Sequence, residues 1–166
     1  MATEEQIDEM IDRQAISKLK ARYFRACDTL DIPEILSVFT DDCHVDFWPG
    51  SGADTNGLVE LEAFYQQALS TVLSSSHHVS NMDIVFQSRD VATMYCYLYS
   101  WTRDIDYPSV PDHHRFARYL DVFVRTPDGW RQRELKYLLA GEISGDDNPR
   151  VGEQMSAMRW DGTSKG

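Results

Sequence analysis

The chain has 166 residues, of which 42% are hydrophobic and 26% charged. Those are the proportions of one globular domain with its own core, not of a disordered or membrane-embedded chain. Sixteen Lys and Arg against 27 Asp and Glu leave a net charge of −11, a field that repels a phosphate backbone and an anionic bilayer, so neither nucleic acid nor membrane is an expected partner.

The first element is an amphipathic helix. Thr3 and Gln6 form a capping box, Glu4 and Glu5 suit a helix N-terminus, and Ile7, Ile11, Ala15, Leu19 and Tyr23 recur every four residues. With Ile16 widening the stripe and Ala26 extending it, the helix is expected to reach Cys27 or Asp28. Asp31, Pro33 and Glu34 restart a short helix over Ile35 to Phe39. Cys43 to Trp48 reads as a strand, Pro49-Gly50-Ser51-Gly52 as a loop, and Asn56-Gly57 as a turn before a second long helix, Leu58 to Leu73. The period then changes. His77 to Gln87, Val91 to Ile105, His113 to Arg125 and Trp130 to Ile143 are strand-like, and short turns at Ser88-Arg89-Asp90 and Thr126-Pro127-Asp128-Gly129 imply antiparallel hairpins. Along the second of these strands Thr93, Tyr95, Tyr97, Tyr99 and Trp101 share one face and Ala92, Met94, Cys96 and Leu98 the other, so both faces are expected to be covered. Helices followed by antiparallel strands specify an α+β fold. Residues 1–143 form its single domain. Residues 144–166 form a polar tail that frays or covers the pocket, with Met155, Met158 and Trp160 able to dock.

Several polar residues stand out against this frame. Asp28 ends a helix, where its charge opposes the dipole, and follows an apolar turn. It reads either as a solvated loop acid or as a carboxylate turned inward to orient a histidine. His77 and His78 open a strand, so at most one of them faces the interior. His113 and His114 pose the same choice. Arg118 shares an apolar stripe with Phe116, Leu120, Val122 and Val124, which calls for an anionic or carbonyl partner: either Glu134 or Asp121 across strands, or a ligand. Tyr23 and Trp101 are core aromatics that equally suit a pocket wall. Cys27, Cys43 and Cys96 are odd in number and lack a CxxC, which predicts reduced thiols and neither a disulfide frame nor a zinc site. HExxH, HxxxH, GxSxG and phosphate-binding glycine loops are absent. Histidine, carboxylate, tyrosine and arginine remain, the groups of proton transfer without metal or cofactor. The acidic start MATEEQIDEMIDRQ lacks the basic flank and apolar run of a signal peptide, and no apolar run approaches the roughly 20 residues of a membrane span. A cytoplasmic location is the expectation.

Ile16 to Asp28, Phe39-Thr-Asp-Asp42, Ser76-His-His-Val-Ser-Asn81, Arg118-Tyr-Leu-Asp121 and Asp128-Gly-Trp-Arg131 occur in one order that resembles the SnoaL-like branch of the nuclear transport factor 2-like superfamily. That branch includes scytalone dehydratase, hexachlorocyclohexane dehydrochlorinase and bile-acid 7α-dehydratase. The resemblance implies a cone-shaped barrel, a curved and mostly antiparallel sheet wrapped around N-terminal helices. It also implies an Asp–His dyad, here Asp28 with His77, with His78 as the competing choice, and it places Tyr23 beside the dyad. The reaction it implies is a cofactor-independent elimination, such as a dehydration, or an isomerisation or cyclisation of a hydrophobic cyclic small molecule. Tyr23 is then catalytic with Asp28 and His77, while His78, Phe47, Trp48, Trp101, His114 and Arg118 contact substrate. The rival implication is a non-catalytic small subunit of an aromatic-ring dioxygenase, or a ligand-binding protein. A homodimer or homotrimer is expected, since a sheet with two packable faces commonly buries one between subunits.

Overall fold

The computed structural model describes residues 2–49, 51–52 and 54–145 and the backbone of 150–151. Helix α1 (Glu4–Asp28) starts at the expected box: the Gln6 amide donates to the Thr3 hydroxyl at 3.2 Å and the Thr3 amide to the Gln6 side chain at 3.0 Å. Its apolar stripe is buried only from Ile16 onward, through Leu19, Tyr23, Phe24, Ala26 and Cys27. Ile7 and Ile11, expected in the core, are 49% and 60% exposed. The first turns run past the sheet and are tied to it by polar side chains instead. Asp12 accepts from the Trp130 indole at 2.9 Å and pairs with Arg125 at 2.6 Å, and Arg13 donates to the Ile84 carbonyl.

Helix α2 covers Ile32–Leu36 rather than 35–39. Asp31 caps it at the Glu34 amide and Pro33 sits in its first turn, so the helix begins as early as its cap allows. Phe39 is thereby released to open strand β1 (Phe39–Asp46), four residues ahead of its expected start. A short strand β2 (Asp54–Asn56) leads into helix α3 (Gly57–Ala68), where Gly57 enters at φ +78°, a conformation costly for any residue with a Cβ. This helix stops five residues short of expectation because Val72 and Leu73 join strand β3 (Val72–Ser88), with Val72 paired to Asp104. Strands β4 (Val91–Asp104), β5 (His113–Thr126) and β6 (Gly129–Ser144) lie within a residue or so of their expected bounds, and β7 (Arg150–Val151) adds a short pairing to β6.

The sheet order is β2-β1-β6-β5-β4-β3, antiparallel except that β1 runs parallel to β6. The two outer strands of this path, β2 and β3, do not meet, so the curved sheet stays open. Its concave face receives α1: Ala92, Met94, Cys96 and Leu98 of β4 and Ala117, Tyr119 and Phe123 of β5 are all at most 4% exposed. A fully buried ion pair, Lys20 Nζ to Asp121 Oδ2 at 2.8 Å, joins helix to sheet here. The Lys20 ammonium also lies 3.9 Å from the Tyr119 ring centroid and 5.0 Å from that of Phe24. Asp121, expected as a possible partner of Arg118, is thus taken by α1. The other face of β4 is covered only in part, with Tyr97 38% exposed. The docking of Met155, Met158 and Trp160 lies outside the described residues.

Candidate functional site

Asp28 is the last residue of α1, and three donors offset its unfavourable place on the helix dipole. His77 Nδ1 stands 2.6 Å from Oδ1, the Ser75 hydroxyl donates to Oδ1 at 3.0 Å, and the His77 backbone N–H donates to Oδ2 at 3.1 Å. Burial pushes the Asp28 carboxyl up, but these bonds outweigh it and hold its pKa below the ordinary value. A carboxylate facing Nδ1 makes that nitrogen the donor and leaves the Nε2 lone pair available. The imidazole is held flat against Phe24, centroids 5.5 Å apart and planes 20° off parallel. The side chains of His77 and Asp28 remain 19% and 26% exposed, so the pair is open to a ligand.

Strand register settles which residues share this face. His77 pairs with Ser100, Ser100 with Arg115, and Arg115 with Glu142, one row across four strands. His78 pairs with Tyr99 on the opposite face. Alternation along β4 and β5 puts Trp101, His114 and Arg118 on that opposite, convex face too. Four of the expected substrate contacts are therefore separated from the dyad by the sheet. His114 Nδ1 lies 2.9 Å from the Tyr99 hydroxyl, the Trp101 indole donates to Asp112 at 2.9 Å, and Arg118 lies 4.8 Å from the Tyr97 ring centroid. A hydrogen bond from Arg118 pulls the Tyr97 phenol below its ordinary pKa. Of the two histidines at the start of β5, His113 is the one on the concave face.

Tyr23 is buried, and its hydroxyl lies 2.7 Å from that of Tyr65 in α3. Desolvation raises the pKa of both phenols well above the ordinary value. Tyr23 thus joins α1 to α3 through its hydroxyl. Phe47 is stacked on Phe64 at 4.3 Å and belongs to the packing around α3. Trp48 is half exposed and lies 6.0 Å from Tyr137, which continues through Tyr119 to Phe24 at centroid spacings of 5.4 and 5.6 Å. Phe24, Tyr119 and Tyr137 form an aromatic floor running from His77 across the concave face, with Trp48 at its far end.

Sequence reasoning did not single out Ser75, Phe24, Tyr119, Tyr137, Arg115 or Glu142. Alternation from His113 would have found Arg115. Glu142 was not reachable that way, because a β-bulge in β6 (Phe116 opposite Gly141 but Ala117 opposite Leu139) moves it onto the face of Tyr137.

Cys27 and Cys96 are buried and their thiols pushed up to about 12 by desolvation, which makes them poor nucleophiles. Among the described residues no group of three or more His, Cys, Asp or Glu is placed to hold a metal ion, and no helix is long and apolar enough to cross a membrane. A groove of about 770 Å³ runs along the exposed start of α1 beside Phe86 and Arg89 and shares no residue with the dyad.

The SnoaL-like domain family profile matches residues 8–136. A Novosphingobium aromaticivorans structure provisionally described as a scytalone dehydratase is 19% identical, with TM-score 0.77 over 87% of this chain and 94% of its own. A hexachlorocyclohexane dehydrochlorinase, LinA-type3 of Novosphingobium barchaimii, is 16% identical, with TM-score 0.74 over 86% and 97%. A second Novosphingobium aromaticivorans protein, provisionally described as an aromatic ring hydroxylase, is 23% identical, with TM-score 0.76 over 81% and 94%. At these identities the likeness establishes the fold. No curated protein matches the chain.

Proposed function

The chain belongs to the SnoaL-like domain family, within the nuclear transport factor 2-like superfamily, and on that footing we propose that it is a cofactor-independent lyase or isomerase in which His77 removes a proton from carbon. The observation that carries the reading is the 2.6 Å contact between Asp28 Oδ1 and His77 Nδ1. Asp28 fixes the imidazole's tautomer and orientation and stabilises the imidazolium formed when Nε2 takes the proton. The aromatic floor of Phe24, Tyr119 and Tyr137 suits a hydrophobic, ring-containing substrate lying across it. Carbon acids next to a carbonyl are the natural class, since neutral imidazole is too weak a base for an unactivated C–H bond. Solved relatives described as a dehydratase and a dehydrochlorinase support an eliminative outcome after that first step.

A probe that needs no physiological substrate tests this. 2-Tetralone, a bicyclic enolisable ketone, exchanges its α-protons in D2O at a rate followed by NMR. The protein is expected to accelerate that exchange, and His77→Gln to lower the accelerated rate by about 10²–10⁴-fold. Equal rates for wild type and His77→Gln contradict the reading.

A further inference from the structure

Beside Tyr137, two strands across the sheet from His77, lies a second group of charged residues. Glu142 Oε1 lies 2.5 Å from His113 Nδ1 and 3.4 Å from the Arg115 guanidinium. His113 is the nearer partner, so the arginine is held only loosely by the carboxylate. Arg115 Nε is buried, with no hydrogen-bond partner among the described residues. The Tyr137 hydroxyl is also buried and has no partner among the described residues, in a residue only 6% exposed. Both Arg115 and Glu142 lie near enough to that phenol to act on it: burial raises its pKa to about 12, the arginine charge opposes the rise, and the glutamate adds to it. The Arg115 side chain as a whole remains 29% exposed. An arginine presents five donors in a rigid fork, and among the described residues the Nε donor of Arg115 has no acceptor.

Arg115 and His77 occupy the same cross-strand row with Ser100 between them, which separates their backbones by two strand spacings, about 10 Å. Their side chains rise from the same concave face over the floor formed by Phe24 and Tyr119. Both side chains keep partial exposure, 29% for Arg115 and 19% for His77.

We propose that Arg115 is the anchor for an oxygen that turns negative on the ligand, and that the substrate is therefore a cyclic ketone with its carbonyl directed at Arg115 and its acidic C–H at His77. This rests on the reading of His77 as the base. In the step it describes, the C–H bond breaks, an N–H bond forms at His77 Nε2, and the electron pair moves through the new C=C bond onto the carbonyl oxygen. The enolate oxygen then pairs with the guanidinium. No oxidant, reductant or metal enters the balance. The enolate collapses either by reprotonation at another carbon or by expelling a leaving group. Tyr137 lies beside that oxygen, while Glu142, held by His113, is a positioning residue that steers the guanidinium without saturating it.

The test uses 4-nitrophenol, a flat aromatic alcohol whose anion is read by its absorbance. On the full-length protein the apparent pKa of the bound phenol is expected to fall by about one unit or more, a tenfold preference for the phenolate. Arg115→Gln is expected to abolish that preference, Arg115→Lys to keep part of it, and Tyr137→Phe, which preserves the ring in the core, to weaken it. His77→Gln is expected to retain it while losing 2-tetralone exchange, so failure of the base and failure of the anchor are read separately. Circular dichroism of Arg115→Gln and Arg115→Lys checks that both remain folded, and the Tyr137→Phe comparison stands if either does not. Three outcomes overturn the proposal: no saturable binding, an unshifted pKa in wild type, or a preference that survives Arg115→Gln or vanishes in His77→Gln.

Discussion

Asp28 closes the first helix and His77 lies 49 residues further on, yet Oδ1 and Nδ1 meet at 2.6 Å, the Asp28 carboxylate being also fixed by Ser75 and by the His77 amide. The pair ties α1 to β3 as well as orienting the imidazole. Asp28→Asn keeps the shape of the carboxylate and loses its charge. It is expected to slow 2-tetralone exchange by about 10²–10⁴-fold while the fold persists. A variant that unfolds but retains specific activity makes Asp28 purely structural.

The same pair sets a pH dependence. Because the folded Asp28 carboxyl is held below its ordinary value, its contribution to stability is complete above the unfolded carboxylate pKa of about 3.9 and is lost as pH falls through the lower folded value. Urea titrations of wild type and Asp28→Asn should therefore differ most at neutral pH and converge in acid. A gap that widens on acidification contradicts the assignment.

Lys20 and Asp121 form another link between α1 and the sheet, both fully buried, with Gln132 donating to Asp121 Oδ1 at 2.9 Å. Burial pushes the Asp121 carboxyl up despite the nearby ammonium. Lys20→Met leaves that carboxyl without its cation and is expected to cost about 3–5 kcal/mol in urea unfolding. The double variant Lys20→Met/Asp121→Leu is expected to regain most of the loss, because the desolvation of two charges goes with the pair.

Tyr23 supplies a contrast. Its hydroxyl is held by Tyr65, so Tyr23→Phe is expected to lower stability by about 1–3 kcal/mol and leave 2-tetralone exchange near the wild-type rate. Loss of exchange without loss of stability would place the hydroxyl in the chemistry.

The two faces of the sheet give a further test. Arg118 and Arg115 are three residues apart on one strand, yet Arg118 packs on Tyr97 and Arg115 faces Glu142. Arg118→Ala and His114→Ala should leave 2-tetralone exchange unchanged, and Arg115→Ala should lower it. Parallel losses from both faces refute the separation.

Periodicity was enough to place four long strands, the capping box and the helix ending at Asp28, because each carries its own turn or cap chemistry. Its place at a helix end singled out Asp28, the resemblance preferred His77 over His78, and register then showed why His78 is not the partner of Asp28. Less visible in the sequence was where each apolar stripe stops being covered: Ile7 and Ile11 continue the helix pattern past the edge of the sheet. The choice of face for Trp101, His114 and Arg118 was equally hidden. Parity along a strand sorts residues into two sets but does not say which set meets the helix, and only the buried Ala92-Met94-Cys96 face decides it. The bulge that turns Glu142 inward has one sign in the sequence, Gly141 inside the strand at that point.

The central claim is that Asp28 holds His77 with Nδ1 protonated and Nε2 free as the base. Nitrogen-15 NMR of the neutral His77 ring, recorded at alkaline pH, reads this directly. Wild type is expected to carry a protonated Nδ1, and Asp28→Asn to lose that tautomer's dominance. A wild-type protein carrying its proton on Nε2 contradicts the claim.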